Sequence, residues 1–354
     1  MTSLIKTDEY SERLRQKAIS LTDKRILIAR LAGSDQEQDL TVPPNCQGFG
    51  RIRHFRRLAA STGVWPANPL PIDPAAAALG LPIESEVRAQ VFQNAACNWR
   101  CWYCFVPFRL LEANSESAAW LSADELISLY LQEPEPNRAR MIDLTGGQPD
   151  LTPEWIPWTM QAMRDRGIEG DVYLWSDDNL STDYFWKFLS PTEQEIVATF
   201  KNYGRVGCFK GFDQDSFSFN TKAEPNLFER QFDIFKRMTE TGIDLYAYAT
   251  FTARDTTDIS DKIARFVDRL QFIDENLPLR TVPLQVYPFK VVKHRVDSAA
   301  DINKLGQLPY TAQGHAIEAW QKELTQRFPS TMREKRINTV PMKNRRSTTT
   351  LSIK

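Results

Sequence analysis

Three cysteines, Cys97, Cys101 and Cys104, stand close together in a chain of 354 residues that holds only five. Thiolates are the soft, deprotonated ligands that iron-sulfur clusters require, and three on one short loop can each take one iron of a [4Fe-4S] cube. The fourth iron then has no protein ligand and can bind and activate a small molecule, whereas four thiolates would make a closed electron carrier. A zinc site would want a fourth Cys or His. The nearest, Cys46 and His54, lie upstream without a paired spacing. A disulfide framework is a poor fit to an odd number of cysteines in a long chain that opens without a secretory signal.

Such a loop needs regular elements to hold it. From about residue 87, short β-rich runs alternate with helical segments, the signature of parallel βαβ units. The runs are 87–93 (VRAQVFQ), 141–144 (MIDL), 171–175 (DVYLW), 206–210 (VGCFK), 245–251 (LYAYATF) and 282–287 (VPLQVY). Six strands follow. Ser122 with Glu125 and Ser190 with Glu193 read as capping boxes, and Thr152 before Pro153 as a cap ahead of a first-turn proline. Gly167, Gly204 and Gly242 fall where left-handed C-cap residues belong. The cysteines come just after the first strand, on the side where barrels of this kind carry their reactive groups.

The spacing C-x3-C-x2-C, with aromatic Tyr103 just before the last cysteine, resembles the defining motif of the radical S-adenosylmethionine (SAM) superfamily. The resemblance spans about residues 87–290 and implies an α/β fold with a partial (β/α)6 TIM-type barrel. It also implies a [4Fe-4S] cluster on Cys97, Cys101 and Cys104, whose open iron is chelated by the amino and carboxylate groups of SAM. Electron injection from a donor such as flavodoxin or ferredoxin would cleave SAM to a 5′-deoxyadenosyl radical that abstracts hydrogen from a substrate. Thr145, Gly146, Gly147, Gln148 and Pro149, directly after the second strand, look like the family's GGE-P type motif, whose backbone holds the SAM amino group. Gln148 stands where Glu is usual, a change that a backbone contact tolerates.

Other cofactor contacts are expected at the remaining strand ends. Ser176 and Asp177, followed by Asp178 and Asn179, suit a ribose diol. Lys210, Gly211, Phe212 and Asp213 resemble the fourth-strand motif of radical SAM activating enzymes, with Lys210 neutralising the SAM carboxylate and Asp213 binding ribose. The resemblance places Tyr103 near adenine, with Val286 and Tyr287 on its other side. Cys208 reads as a buried small hydrophobe. Only His294 and His315 follow the cysteines, so acid or base work falls to Asp, Glu, Lys, Tyr or Cys208.

Three regions are expected: an N-terminal extension, partly extended, over residues 1–85; the barrel over 86–290; and a C-terminal helical segment with a polar tail over 291–354. Residues 7–21 read as a polar-faced helix, and 25–31 as helix or strand. Gly48 and Gly50 lead into the basic stretch 51–57, which reads as a solvated helix face or as a cradle for a phosphate or carboxylate at a helix start. Four prolines in 65–74 exclude a regular helix or central strand and suggest an extended strap across the barrel's surface. Residues 312–327 read as an amphipathic helix with Ile317, Trp320 and Leu324 on one face. The tail from Lys343 is basic, polar and expected to be disordered.

Lys plus Arg number 44 and Asp plus Glu 45, so no global field draws the protein to nucleic acid or an anionic membrane. No apolar run reaches the roughly 20 residues that span a bilayer, and a cytoplasmic location is expected. Two kinds of substrate suit a barrel mouth with flanking segments: a small molecule, nucleotide or peptide closed in by them, or a protein partner on which a radical is generated. A non-catalytic iron-sulfur or zinc binding module is the alternative from another class, and the absence of a C-terminal cysteine-rich extension disfavours multi-cluster peptide-modifying enzymes.

Overall fold

The computed structural model describes residues 4–58, 65–298 and 300–343. Expectations for the tail beyond Lys343 lie outside the described residues. Ten strands are formed among them: β1 (Ile19–Ser20), β2 (Arg25–Ala29), β3 (Gly50–Arg56), β4 (Glu86–Gln93), β5 (Ala118–Ser122), β6 (Met141–Thr145), β7 (Tyr173–Asp178), β8 (Tyr203–Phe209), β9 (Leu245–Ala249) and β10 (Thr281–Pro283). The main sheet runs β10-β9-β8-β7-β6-β4-β3. Its six strands from β4 to β10 are parallel and follow one another in chain order, each connection carrying helix. This is the partial (β/α)6 barrel.

Two layers of core follow from the two-residue period of the strands. Outward positions such as Ile142, Leu144, Leu174, Phe209 and Ala247 share one core cluster with the apolar stripes of the surrounding helices, Phe209 packing on Phe232 and Phe235 of helix Leu227–Thr239 and on Phe266 of helix Ile259–Ile273. Helix Leu308–Arg327 packs on the second of these, burying Ile317 and Trp320 as the pattern predicts. Inward positions, Ala89, Met141, Tyr173, Trp175, Val206, Cys208, Tyr246, Tyr248 and Val282, form a second cluster. Both capping boxes are present, and Gly167 and Gly242 have the expected positive φ.

Several expectations are corrected. Residues 51–57 are not helical: β3 pairs antiparallel with β4 and extends the barrel sheet. The proline-rich strap does not lie on the surface. Leu70 and Ile72 are fully buried in the inner cluster, and helix Ile72–Leu79 begins within it. Pro74 sits in that helix's first turn, where a missing N–H costs nothing. Gly204 lies inside β8, where a Cβ would meet the Tyr173 hydroxyl at 2.2 Å and the Trp175 ring at 2.9 Å. The helix expected after Pro153 starts at Trp155, because the Thr152 hydroxyl accepts instead from Asn94 Nδ2 at 2.9 Å. β7 begins and ends two to three residues later than predicted, and β10 is only three residues long. Of residues 25–31, Arg25–Ala29 resolve as strand, pairing with β1 and β5 in a second, three-stranded sheet.

Candidate functional site

The cysteine loop leaves the C-terminal end of β4, and its spacer residues explain its shape. Asn98, Trp99 and Trp102 are buried, while Cys97, Cys101 and Cys104 are half-buried free thiols. Asn98 donates to Ser11 Oγ (2.9 Å) and Ser181 Oγ (2.8 Å), and Trp102 Nε1 to Asn220 Oδ1 (3.0 Å). Trp99 packs edge-on against Phe217 at 5.2 Å. The motif's non-cysteine residues are thus its anchors.

Two arginines hold the loop's carbonyls. Arg100 donates to Cys97 O (2.6 Å) and Trp99 O (3.1 Å), and to the Tyr10 hydroxyl of the first helix. Arg295, on helix Lys290–Ser298, donates to the carbonyls of Cys101 (3.3 Å), Trp102 (3.0 Å), Cys104 (2.6 Å) and Val106 (3.0 Å). Sequence reasoning missed Arg295, and nothing in its neighbourhood signals the role.

The glycine turn after β6 is built into the same loop. Gly146 has φ +92°, and Gly147 lies where a Cβ would strike Asn94 O at 2.3 Å and Ala96 O at 2.5 Å. Only glycines let the two turns touch. Gln148 N donates to Ala96 O at 2.7 Å. The Gln148 side chain is buried, its Nε2 donating to Asp178 Oδ1 (2.8 Å) and its Oε1 accepting from Asn179 N (2.9 Å). An ionised glutamate could not donate to Asp178, as the glutamine amide does. Behind it, buried Arg205 donates to Asp178 Oδ2 (2.7 Å) and to Asp150.

Inside the mouth, Lys210 is placed among Tyr103, Cys208, Cys101 and Asp177, whose negative forms raise its pKa well above the ordinary value against the cost of burial. Burial pushes the Cys101 thiol up to about 12 and raises that of Cys97, and Lys210 opposes both shifts. The Tyr103 hydroxyl donates to Thr250 Oγ1 at 3.2 Å. Asp177 points inward and accepts from Thr145 Oγ1 at 2.6 Å. Asp143, also inward and fully buried, accepts from Arg53 at 3.1 Å while its Oδ1 has no partner among the described residues. Burial, reinforced by Asp177, pushes the Asp143 carboxyl up to about 7. Asp143 was not picked out in the sequence, and Arg53 was read only as part of the basic stretch 51–57, a helix face or an anion cradle at a helix start.

The structure therefore brings Cys97, Cys101, Cys104, Tyr103, Gly146, Gly147, Asp177 and Lys210 to one end of the barrel. Three predicted residues are placed elsewhere. Ser176 faces outward, 2.6 Å from the Tyr203 hydroxyl. Asp213 caps helix Gln214–Thr221 and pairs with Lys262 at 3.1 Å. Tyr287 donates to Gln285 and packs on Phe289, while Val286 is the member of that pair in Tyr103's cluster.

Among the described residues, no His, Cys, Asp and Glu side chains converge as the ligands of one metal ion would. Thiols that each take a different iron need not converge on a point, and three free, partly exposed thiols with a lysine beside them are a soft donor set suited to a cluster.

Fold and site define a class: a partial parallel barrel with a three-cysteine loop after its first parallel strand. Among solved structures, the chain is similar to SuiB of Streptococcus suis bound to the precursor peptide SuiA (18% identity, TM-score 0.45, 67% of this chain and 46% of that one). It is also similar to SuiB bound to S-adenosylmethionine (18%, TM-score 0.37, 52% and 37%) and to anSMEcpe with bound AdoMet (13%, TM-score 0.33, 54% and 48%). The chain spans less than half the length of these proteins. No protein-family model matches it, and no curated protein does. Among the described residues, no helix is long and apolar enough to cross a membrane.

Proposed function

We propose that the protein is a radical SAM enzyme, acting on a small-molecule, nucleotide or peptide substrate at the C-terminal mouth of the barrel. The observation that carries this reading is the packing of the Gly146–Gly147 turn directly against the backbone that leads into the cysteine loop. Cys97, Cys101 and Cys104 would hold a [4Fe-4S] cluster, which with SAM and an electron from a donor such as flavodoxin or ferredoxin supplies hydrogen abstraction. The chain's own residues bind and orient. The turn at Gly146 and Gly147 presents backbone to the SAM amino group, Lys210 offers a cation to its carboxylate, and half-buried Asp177 offers an acceptor to its ribose. The Tyr103 ring gives adenine an apolar edge. Ser176 and Asp213 are committed to structural partners, so ribose recognition falls to Asp177 alone of the predicted set.

The segment that suggested a protein partner is accounted for locally. Asp213 is a helix cap, and Gly211 lets the chain pass Phe217 N, which a Cβ would approach to 2.5 Å. No observation favours the activating-enzyme reading over the enclosed substrate.

The test is anaerobic reconstitution, measuring iron, sulfide and 5′-deoxyadenosine after dithionite and SAM are added, beside Cys101→Ala. About four irons per chain, with nucleoside formed by the wild type alone, is the expected result. Zinc in place of iron, or a cluster that leaves SAM intact, would overturn the reading in favour of a binding module.

A further inference from the structure

β3 carries Arg51 and Arg53 on its inward face, opposite Val91 and Ala89 of β4. The two guanidiniums are differently provided for. Arg53 donates to Asp143 and has Asp177 at 3.8 Å. Arg51 is 4% exposed, and neither its Nε nor its Nη2 has a hydrogen-bond partner among the described residues. Its guanidinium carbon lies 5.0 Å from the centre of the Phe105 ring, the residue after Cys104. Antiparallel pairing sets Arg51 toward the C-terminal end of β4, where the cysteine loop begins.

Nε and Nη2 form one edge of the guanidinium plane, and that edge donates two parallel hydrogen bonds to the two oxygens of a carboxylate or phosphate. Burying it unpaired works against stability, the signature of a residue kept for a ligand. The charge count agrees. Lys210, Arg51 and Arg53 share the field of two carboxylates, Asp143 and Asp177, so one cation is in excess, and of the two arginines Arg53 holds the bonds to them.

We propose that Arg51, seconded by Arg53, binds an oxyanion of the substrate, a carboxylate or phosphate group, in the barrel mouth beside the cysteine loop. That the oxyanion belongs to a substrate rests on the function proposed above; the anion site itself does not.

Thermal unfolding of the full chain, with acetate, inorganic phosphate or chloride at matched ionic strength, tests it without cluster or SAM turnover. The wild type should show a saturable rise in Tm with acetate or phosphate over chloride, and whichever acts names the group. Arg56→Gln, at the exposed end of the same strand, should keep the response. Arg51→Met should lose it while melting no lower than the wild type, because an unpaired buried charge has gone. Arg51→Lys keeps the charge and loses the fork, and should bind about tenfold more weakly. A wild type indifferent to both anions, or an Arg51→Met that still responds, would overturn the proposal. So would an Arg51→Met that loses affinity for SAM in an equilibrium binding assay, since the guanidinium would then belong to SAM. A protein that binds the anion but never cleaves SAM would sink the enzyme reading and leave the site standing.

Discussion

Two arginines, Arg205 and Arg51, are buried to nearly the same degree on opposite faces of one sheet, and their charges are met in different ways. Arg205, on the outward face, is matched by Asp150 and Asp178, and Asp178 in turn takes the Gln148 amide and Leu180 N. Arg205 also leaves Nε and Nη1 without a hydrogen bond, but its charge is paired; Arg51, on the inward face, leaves Nε and Nη2 without one and is bonded to no carboxylate among the described residues. A buried cation bonded to carboxylates ties loops together, and one that feels Asp143 and Asp177 without a bond to either keeps its donors for a ligand under the proposal above.

The contrast is broken most directly at Arg205. Arg205→Met leaves two facing carboxylates buried without a cation, and should cost about 3–5 kcal/mol in urea unfolding, where Arg51→Met costs nothing. A loss at Arg205 no larger than that at Arg51 would erase the distinction. Gly147→Ala comes next. Its Cβ meets two backbone oxygens that cannot rotate away, so about 1–3 kcal/mol should be lost, together with iron retention after reconstitution. A variant that binds iron like the wild type would show that the two turns can separate freely.

Gln148→Glu sharpens the comparison from the Arg205 side. It turns a donor to Asp178 into a second carboxylate, and should cost about 1–2 kcal/mol at pH 8. The loss should shrink toward pH 5, as one of the facing carboxylates takes a proton. Unfolding curves of equal offset at both pH values would remove Asp178 as the partner that selects glutamine.

The smallest effect concerns Asp143. Its folded pKa of about 7 lies above the ordinary value, so the native state holds the extra proton. The contribution of this carboxyl to stability is therefore greatest in acid and is lost as pH rises through about 7. Asp143→Asn cannot titrate, and its Tm relative to the wild type should climb by a few degrees from pH 5 to pH 8. A difference that stays constant with pH would show that Asp143 does not titrate in this range.

The barrel was legible because runs such as 141–144 and 245–251 alternate with capped helices, and each of those signals is local. β3 was not. Its inward positions hold Arg51 and Arg53 where a half-buried strand normally shows apolar residues, so period-two alternation was hidden behind charge. Ser176 was taken with Asp177 on residue type alone, without parity: β7 starts at Tyr173, which turns Asp177 inward and its neighbour outward. Asp213 followed by Ser216 was a readable helix start that the family resemblance overrode. Arg295 could not have been read at all, because its partners are backbone carbonyls about 190 residues away.

Arg295 also sets an order of assembly. The cysteine loop is tied to Tyr10 and Ser11 near one end of the chain and to Arg295 near the other. During synthesis the three thiols are made long before the guanidinium that gathers the carbonyls of Cys101, Trp102 and Cys104. A nascent chain halted between Cys104 and Arg295 holds every cysteine of the loop and lacks one of the clamps that shape it. The loop's described shape therefore depends on residues from both flanks of the barrel and is complete only when the last of them is made.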